Sequence, residues 1–300
     1  MANILIKKLK ARYNDFNRHP ITHKNRIFSL IRYILFNIRL RIFKEIEVGW
    51  IEGLNFIVRK GDAGIIGNVY FGLDEFEESV FLLHLLEETD TFLDIGANLG
   101  HYSLLVSGIK KSHSIAIEPV TDTFQQLRKQ IQLNNLSSLV DAKNIGVSNT
   151  DGMLFFSTDR GTMNRVVPED YPNAIAIDVI TIDSILLNYQ TPIAMKIDVE
   201  GYEKFVLEGA IFLLNNAKLK VLVVELNQSG RKYKVSDEEL YATILSFGFK
   251  PYAYHVFNRT LQELESYNLN SFNTIFVRDL SYVKSRLAGS KKIRIRHKEF

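Results

Sequence analysis

Phe92-Leu93-Asp94-Ile95-Gly96-Ala97-Asn98-Leu99-Gly100 reads as the end of a buried strand, a tight turn and the start of a helix. An apolar pair runs into an acid, then into small residues, then into the apolar-periodic run Tyr102, Leu104, Leu105 and Val106. In an open parallel sheet such a turn brings backbone N–H groups to a ligand at the carboxyl end of the strand. Gly96 and Gly100 permit positive φ or close approach of a ligand to the backbone. The spacing is Asp-x-Gly-x-Asn-x-Gly, not the Gly-x-Gly-x-x-Gly of dinucleotide folds. An acid at the strand end repels a pyrophosphate and suits an ammonium group. S-adenosylmethionine carries an ammonium, a sulfonium and a ribose, so Asp94 with the backbone of residues 96–100 is a candidate holder of its methionine part. An ordinary glycine-rich turn is the alternative reading of this stretch alone.

Downstream, His113-Ser114-Ile115-Ala116-Ile117-Glu118-Pro119 is a second buried strand ending in an acid, 24 residues beyond Asp94. At βαβ spacing Glu118 can accept hydrogen bonds from a ribose diol. A third strand, 139–147, continues through Asn149-Thr150-Asp151-Gly152 into Met153–Phe156, a β-excursion rather than a helix. Asn144 sits where adenine-edge contacts would fall. The polar loop Arg160–Asp170 is long enough for a substrate lid and equally suits a surface loop.

In Ile193-Ala194-Met195-Lys196-Ile197-Asp198-Val199-Glu200-Gly201-Tyr202-Glu203, charges occupy the alternate positions 196, 198 and 200, which a strand projects to one side. Charges on a buried strand need partners or a cleft. Lys196, Asp198 and Glu200 are therefore catalytic candidates, with a structural ion pair as the alternative. Gly201 turns the chain into an expected helix 202–214. A fifth strand, 218–227, contains Glu225 near its end, a helix spans 237–247, and 249–256 with 271–277 form an antiparallel edge pair.

Upstream, 54–58 and 65–70 read as small strands among glycines, and Glu75-Phe76-Glu77-Glu78 as acids favourable at the start of a helix over 79–86. Over 27–43, Ile27, Ile31, Ile34, Leu35, Ile38 and Ile42 share one helical face, with Arg32 and Arg39 on another. The segment is too short and charged to span a bilayer and lacks the apolar run of a signal peptide. It can lie on an anionic membrane, dock on a partner such as a glycosyltransferase, or pack on its own domain. The expected location is cytoplasmic, with peripheral contact at the inner face of the membrane.

The chain has 300 residues, 46% hydrophobic and 24% charged, without cysteine. Disulfides, thiolate nucleophiles and cysteine zinc sites are excluded, and seven scattered histidines form no His-Glu-x-x-His pattern. Eleven Lys/Arg against two acids give residues 1–45 a charge of +9, and seven against one give 284–300 +6. The total of +3 leaves −12 for 46–283, which argues against a nucleic-acid groove across the body. The expected organisation is a basic amphipathic segment 1–45, one domain 46–283 and a basic tail 284–300.

Taken together, Asp94–Gly100 followed by Tyr102, Glu118-Pro119, Lys196–Glu203 and Asn273-Thr274-Ile275-Phe276-Val277-Arg278 resemble the FkbM-type methyltransferases over roughly residues 50 to 278. The resemblance implies an α/β class I methyltransferase-like (Rossmann-like) fold. That fold is a mostly parallel seven-stranded sheet flanked by helices, here with a β-rich N-terminal addition and a basic N-terminal helix. It implies S-adenosylmethionine-dependent O-methylation of a sugar, glycan or natural-product hydroxyl in bacterial pathways. Asp94, Gly96, Asn98, Gly100, Tyr102, Glu118 and Asn144 would bind the cofactor. Asp198 or Glu200 would orient the acceptor or serve as base, and Lys196 would tune them. Mg²⁺ held by Asp198 and Glu200 ranks below direct base catalysis, so no metal site is expected. The alternative is a protein that binds the cofactor without catalysis, as a scaffold or membrane-docked partner of a glycosyltransferase.

Overall fold

The computed structural model describes residues 2–300. Helices α1 (Ala2–Arg18) and α2 (Arg26–Ile42) pack on each other, and strands β1 (Glu45–Gly49) and β2 (Asn55–Arg59) form an antiparallel hairpin. The stretch 65–70, read above as a strand, is helical: α3 spans Ala63–Phe71. A short apolar run suits a strand and a buried helix alike. Here Ile65 and Val69, one turn apart, are buried, and Gly72 at φ +97° closes the helix with its N–H on Asn68 O. The β-rich addition is thus one hairpin plus this helix.

Helix α4 (Phe76–Leu85) is almost wholly buried and leads into β3 (Thr91–Ile95). After β3 come α5 (His101–Leu105), β4 (His113–Ile117), α6 (Thr121–Leu133) and β5 (Val140–Lys143). The expected excursion follows as a separate four-stranded sheet of β6 (Gly146–Val147), β7 (Gly152–Phe156), β8 (Val166–Val167) and β9 (Ile175–Ile180). Helix α7 (Ile182–Ile185) is capped by Thr181, whose hydroxyl accepts from Ser184 N, and β10 is Ala194–Ile197. The single helix expected over 202–214 is two, α8 (Glu203–Glu208) and α9 (Ile211–Asn215). They part at Gly209, where any side chain would collide with Ser148 O, 2.1 Å from the Cβ position. The remainder comprises β11 (Val221–Glu225), α10 (Asp237–Ser246, capped by Ser236), β12 (Lys250–His255), β13 (Thr260–Glu263), β14 (Asn273–Val277), α11 (Leu280–Gly289), β15 (Arg294–Ile295) and β16 (Lys298–Glu299).

The main sheet has the order β13-β12-β14-β11-β10-β3-β4-β5, eight strands where seven were expected. The extra strand β13 is short and polar at the outer edge, which conceals it from an apolar-run reading. Strands β11, β10, β3, β4 and β5 are mutually parallel, while β14 is antiparallel to both of its neighbours. Both faces of the sheet are covered. Phe92, Ala194 and Val223 face a core shared with α4 and α11, whereas Leu93, Ile95, Met195 and Ile197 face one shared with α8, α9 and α10. That two-sided burial is why the parallel strands are continuous apolar runs. Because β3 pairs with β4 on one side and β10 on the other, the chain order reverses there, and a crevice opens at their carboxyl ends.

The boundary drawn from charge at 283/284 falls inside α11, and the β15–β16 hairpin buries Ile293, Ile295 and Phe300. Arg296 donates to the carbonyls of Val69 (3.0 Å) and Tyr70 (3.1 Å) at the end of α3, and burial lowers its pKa to about 9.

Candidate active site

The crevice is a cavity of about 460 Å³, within the range of small-ligand sites. Asp94, Gly96, Asn98, Tyr102, Glu118, Lys196, Asp198 and Glu200 all line it. Gly100 and Asn144 do not. Gly100 serves the turn: at φ +92° a Cβ there would meet Leu127 Cδ1 at 2.8 Å. Asn144 lies outside because its side chain brackets the chain after β4, donating to Glu118 O and Pro119 O and accepting from Thr121 Oγ1.

One wall is the turn after β3. Gly96 N and Ala97 N donate to Ile117 O (3.0 and 2.9 Å), which ties the turn to β4. Gly96 has φ +78°, and a Cβ there would stand 1.8 Å from Asp198 O, so only glycine lets β3 and β10 close together. Asp94 accepts the N–H (3.0 Å) and hydroxyl (2.5 Å) of Ser103 on Oδ2. Burial raises its pKa to about 6, opposed by those bonds and by Lys196. Glu118 accepts from Asn98 N (3.1 Å) and Val120 N (3.0 Å), and burial pushes it up to about 7. The Asn98 amide donates to Thr162 O (2.9 Å), tethering the 160–170 loop over the cavity, while its buried Oδ1 has no partner among the described residues.

The opposite wall is a knot of charge. Lys196, directly across from Asp94 in register, is 1% exposed and bonds Asp198 Oδ2 at 3.1 Å. Burial works against its ammonium, but the carboxylates of Asp198, Glu75 and Glu225 outweigh that and hold its pKa above the usual lysine value. Strand β10 ends at Ile197 and Glu200 takes φ +56°, so the strict alternation expected of 196, 198 and 200 holds only for the first two. Glu203 secures this turn by accepting from Val199 N (3.1 Å) and Gly201 N (3.0 Å).

Two further acids belong to the site. Glu75, explained above by the helix start alone, opens onto the cavity in a left-handed conformation and accepts from Tyr102 Oη at 2.5 Å. Desolvation raises its pKa, against the pull of Lys196. Glu225, at the tip of β11, has its Oε2 buried without a partner among the described residues; burial first and Asp198 second push its pKa up. The strand-end argument that found Asp94 and Glu118 would have found Glu225, whereas Glu75 carries no local signal.

The ring of His101, its pKa lowered to about 3 by burial, packs edge-on against Tyr102, the partner of Glu75. Asn68 accepts from Asp74 N (2.8 Å) through Oδ1, so its amide nitrogen faces His101 Nδ1 (2.6 Å) and His101 Nε2–H points to Ser79 Oγ (2.8 Å). Arg165 and Val166 line the cavity, and Tyr233 donates to Val166 O (2.8 Å); the charges of Lys232, Arg165 and Arg160 all act on Glu200.

The pattern of the methyltransferase FkbM domain matches residues 94–251. Hexuronic acid methyltransferase AglP of Haloferax volcanii is 26% identical over 145 residues, 48% of this chain and 59% of the relative, so the chain spans about three-fifths of that protein. Among solved structures, methyltransferase FkbM from Methylobacillus flagellatus KT is 18% identical with a TM-score of 0.45, covering 73% of this chain and 55% of that one. TYW2 of M. jannaschii in complex with AdoMet is 14% identical with a TM-score of 0.39, covering 79% and 87%.

Proposed function

The chain belongs to the FkbM methyltransferase family, and from that membership we propose that it transfers a methyl group from S-adenosylmethionine to a hydroxyl oxygen of a sugar or glycan. The observation that carries this reading is a single cavity with strand-end acids of β3 and β4 on one wall and the Lys196–Asp198 pair of β10 on the other.

The residues present fit the cofactor. Both Ser103 bonds fall on Asp94 Oδ2, which leaves Oδ1 to take an ammonium. Glu118 uses one lone pair on each oxygen for backbone N–H groups and keeps others for ribose hydroxyls. Asn98 Oδ1 is a buried acceptor in want of a donor, and Ile117, Val147 and Phe156 give apolar walls that suit a purine.

S-adenosylmethionine supplies an electrophilic methyl carbon when bound. The chain's own part is to align the acceptor oxygen, exclude water and remove its proton. Asp198, bonded to the Lys196 ammonium at 3.1 Å, accepts that proton. Glu75 and Glu225 lie near the same ammonium, and burial raises the pKa of both, so either can hold a proton passed to the cluster. Glu200 orients the acceptor from the turn. Mg²⁺ held by Asp198 and Glu200 ranks below direct base catalysis in this reading. Arg165 in the cavity wall, with the charges of Lys232 and Arg160 acting on Glu200 nearby, suits an acceptor carrying a carboxylate, in line with the hexuronic acid named for the archaeal relative.

The test is calorimetry of the full chain with S-adenosylmethionine and with NAD, followed by mass spectrometry of neutral and uronate sugars after incubation. Binding of the first ligand and one added methyl on a sugar are expected. Binding of NAD alone overturns the reading, and binding without transfer to any acceptor favours the non-catalytic scaffold.

A further inference from the structure

Helix α2 exposes a band of apolar side chains that the fold does not use. Ile27 (63% exposed), Phe28 (75%), Leu35 (56%) and Ile42 (69%) stand out, with Ile31, Ile34 and Ile38 between them. At 100° per residue these seven fall within roughly 120° of the helix circumference. The opposite side, carrying Ser29, Phe36 and Leu40, is the buried one, and it meets α3, where Asn37 donates to Tyr70 Oη at 3.0 Å. Arg32 and Arg39 flank one edge of the band and Arg41 the other; all three are exposed and none forms an ion pair among the described residues. A helix that only packed on its own domain would bury one stripe and solvate the other. This one is apolar on both sides and basic along the margins.

We propose that α2 docks the protein on an anionic lipid surface, lying in the interface with Phe28, Leu35 and Ile42 in the acyl boundary and the flanking arginines at the headgroups. The length and charge of the helix fit a surface position, because no helix among the described residues is long and apolar enough to cross a membrane. Charge complementarity selects an anionic lipid surface over a second copy seated band to band, because residues 1–45 carry +9 and two such faces repel each other. The acidic body is repelled by an anionic surface, while the basic C-terminal hairpin, whose Lys298 bonds Pro20 O between α1 and α2, adds its charge on the α1–α2 side, so docking is oriented. The proposal does not rest on the methyl-transfer reading.

The full chain is mixed with vesicles of phosphatidylcholine, and with vesicles that also contain phosphatidylglycerol, and then sedimented. Binding to the second kind only is expected, weakening as salt is raised. Because Phe28 and Leu35 are exposed, the double variant Phe28→Ser/Leu35→Ser keeps the wild-type unfolding midpoint and loses the vesicles. Arg32→Gln and Arg39→Gln each lower the partition coefficient about fivefold. No sedimentation with anionic vesicles at low salt overturns the proposal, as does equal binding by the double serine variant. Wild-type dimers on gel filtration that the serine variant dissolves would assign the band to a second copy and overturn it too.

Discussion

The two walls of the cavity are both acidic, but they are held in different ways. On the turn wall, Asp94 and Glu118 are satisfied by neighbours a few residues away along the chain or by the adjacent turn: Ser103, Asn98 and Val120. On the lysine wall, Asp198, Glu75 and Glu225 come from three distant parts of the chain and have one buried ammonium, Lys196, in common. Acids satisfied by fixed backbone donors are rigid acceptors, suited to binding. Acids gathered from distant segments depend on the one cation they share for their charge balance, which suits chemistry.

The largest expected effect tests the division directly. Asp198→Asn lowers kcat about 10²- to 10⁴-fold while the calorimetric affinity for S-adenosylmethionine stays within about twofold; parallel losses of both would erase the distinction between the walls. Next comes Lys196→Met, which leaves the surrounding carboxylates facing one another without a cation. A loss of about 3 kcal/mol in urea unfolding is expected, the low end for a broken buried pair because Asp198 is partly exposed. An unchanged midpoint would mean that the acids do not need the lysine.

The smallest effect sharpens the turn wall through pH. Asp94 and Glu118 are held at about 6 and about 7 in the folded protein, above the roughly 4 of an unfolded carboxyl. The folded chain therefore keeps protons that the unfolded chain has released. The stability they contribute is complete below about pH 4 and is lost as pH rises through the folded values. Affinity for an ammonium-bearing ligand runs the other way, because it needs Asp94 ionised. Dissociation constants measured at about pH 5.5 and about pH 8 should differ several-fold, tighter at the higher pH. In Asp94→Asn that dependence should shrink and the affinity fall about tenfold or more; a full pH response in the variant would reassign it to another group.

What the sequence discloses follows how local the cause is. Gly96 is legible because positive φ and a missing Cβ are properties of one position, and Lys196 because a charge on an otherwise apolar strand demands a partner. The parallel core was legible for the same reason, its strands being continuous apolar runs. Glu200 reaches the cavity by another route than the alternation suggests, from the turn after β10 ends at Ile197. Asn144 misleads because its amide closes the end of β4 instead of facing the cavity. Glu75 lies 121 residues before Lys196, and only the packing of α4 against the sheet brings the two together. Helix α3 and strand β13 escape for a plainer reason: one is apolar on too many sides to show a period, and the other is too polar to show a run.

The seclusion of Lys196 separates two behaviours by ionic strength. At physiological salt, exposed charges cease to feel one another beyond about 8 Å, so adding electrolyte detaches the arginine-edged α2 from a charged interface. The ammonium of Lys196, at 1% exposure, lies out of reach of mobile ions. A brine that frees the protein from vesicles thus leaves the buried Lys196–Asp198 pair intact.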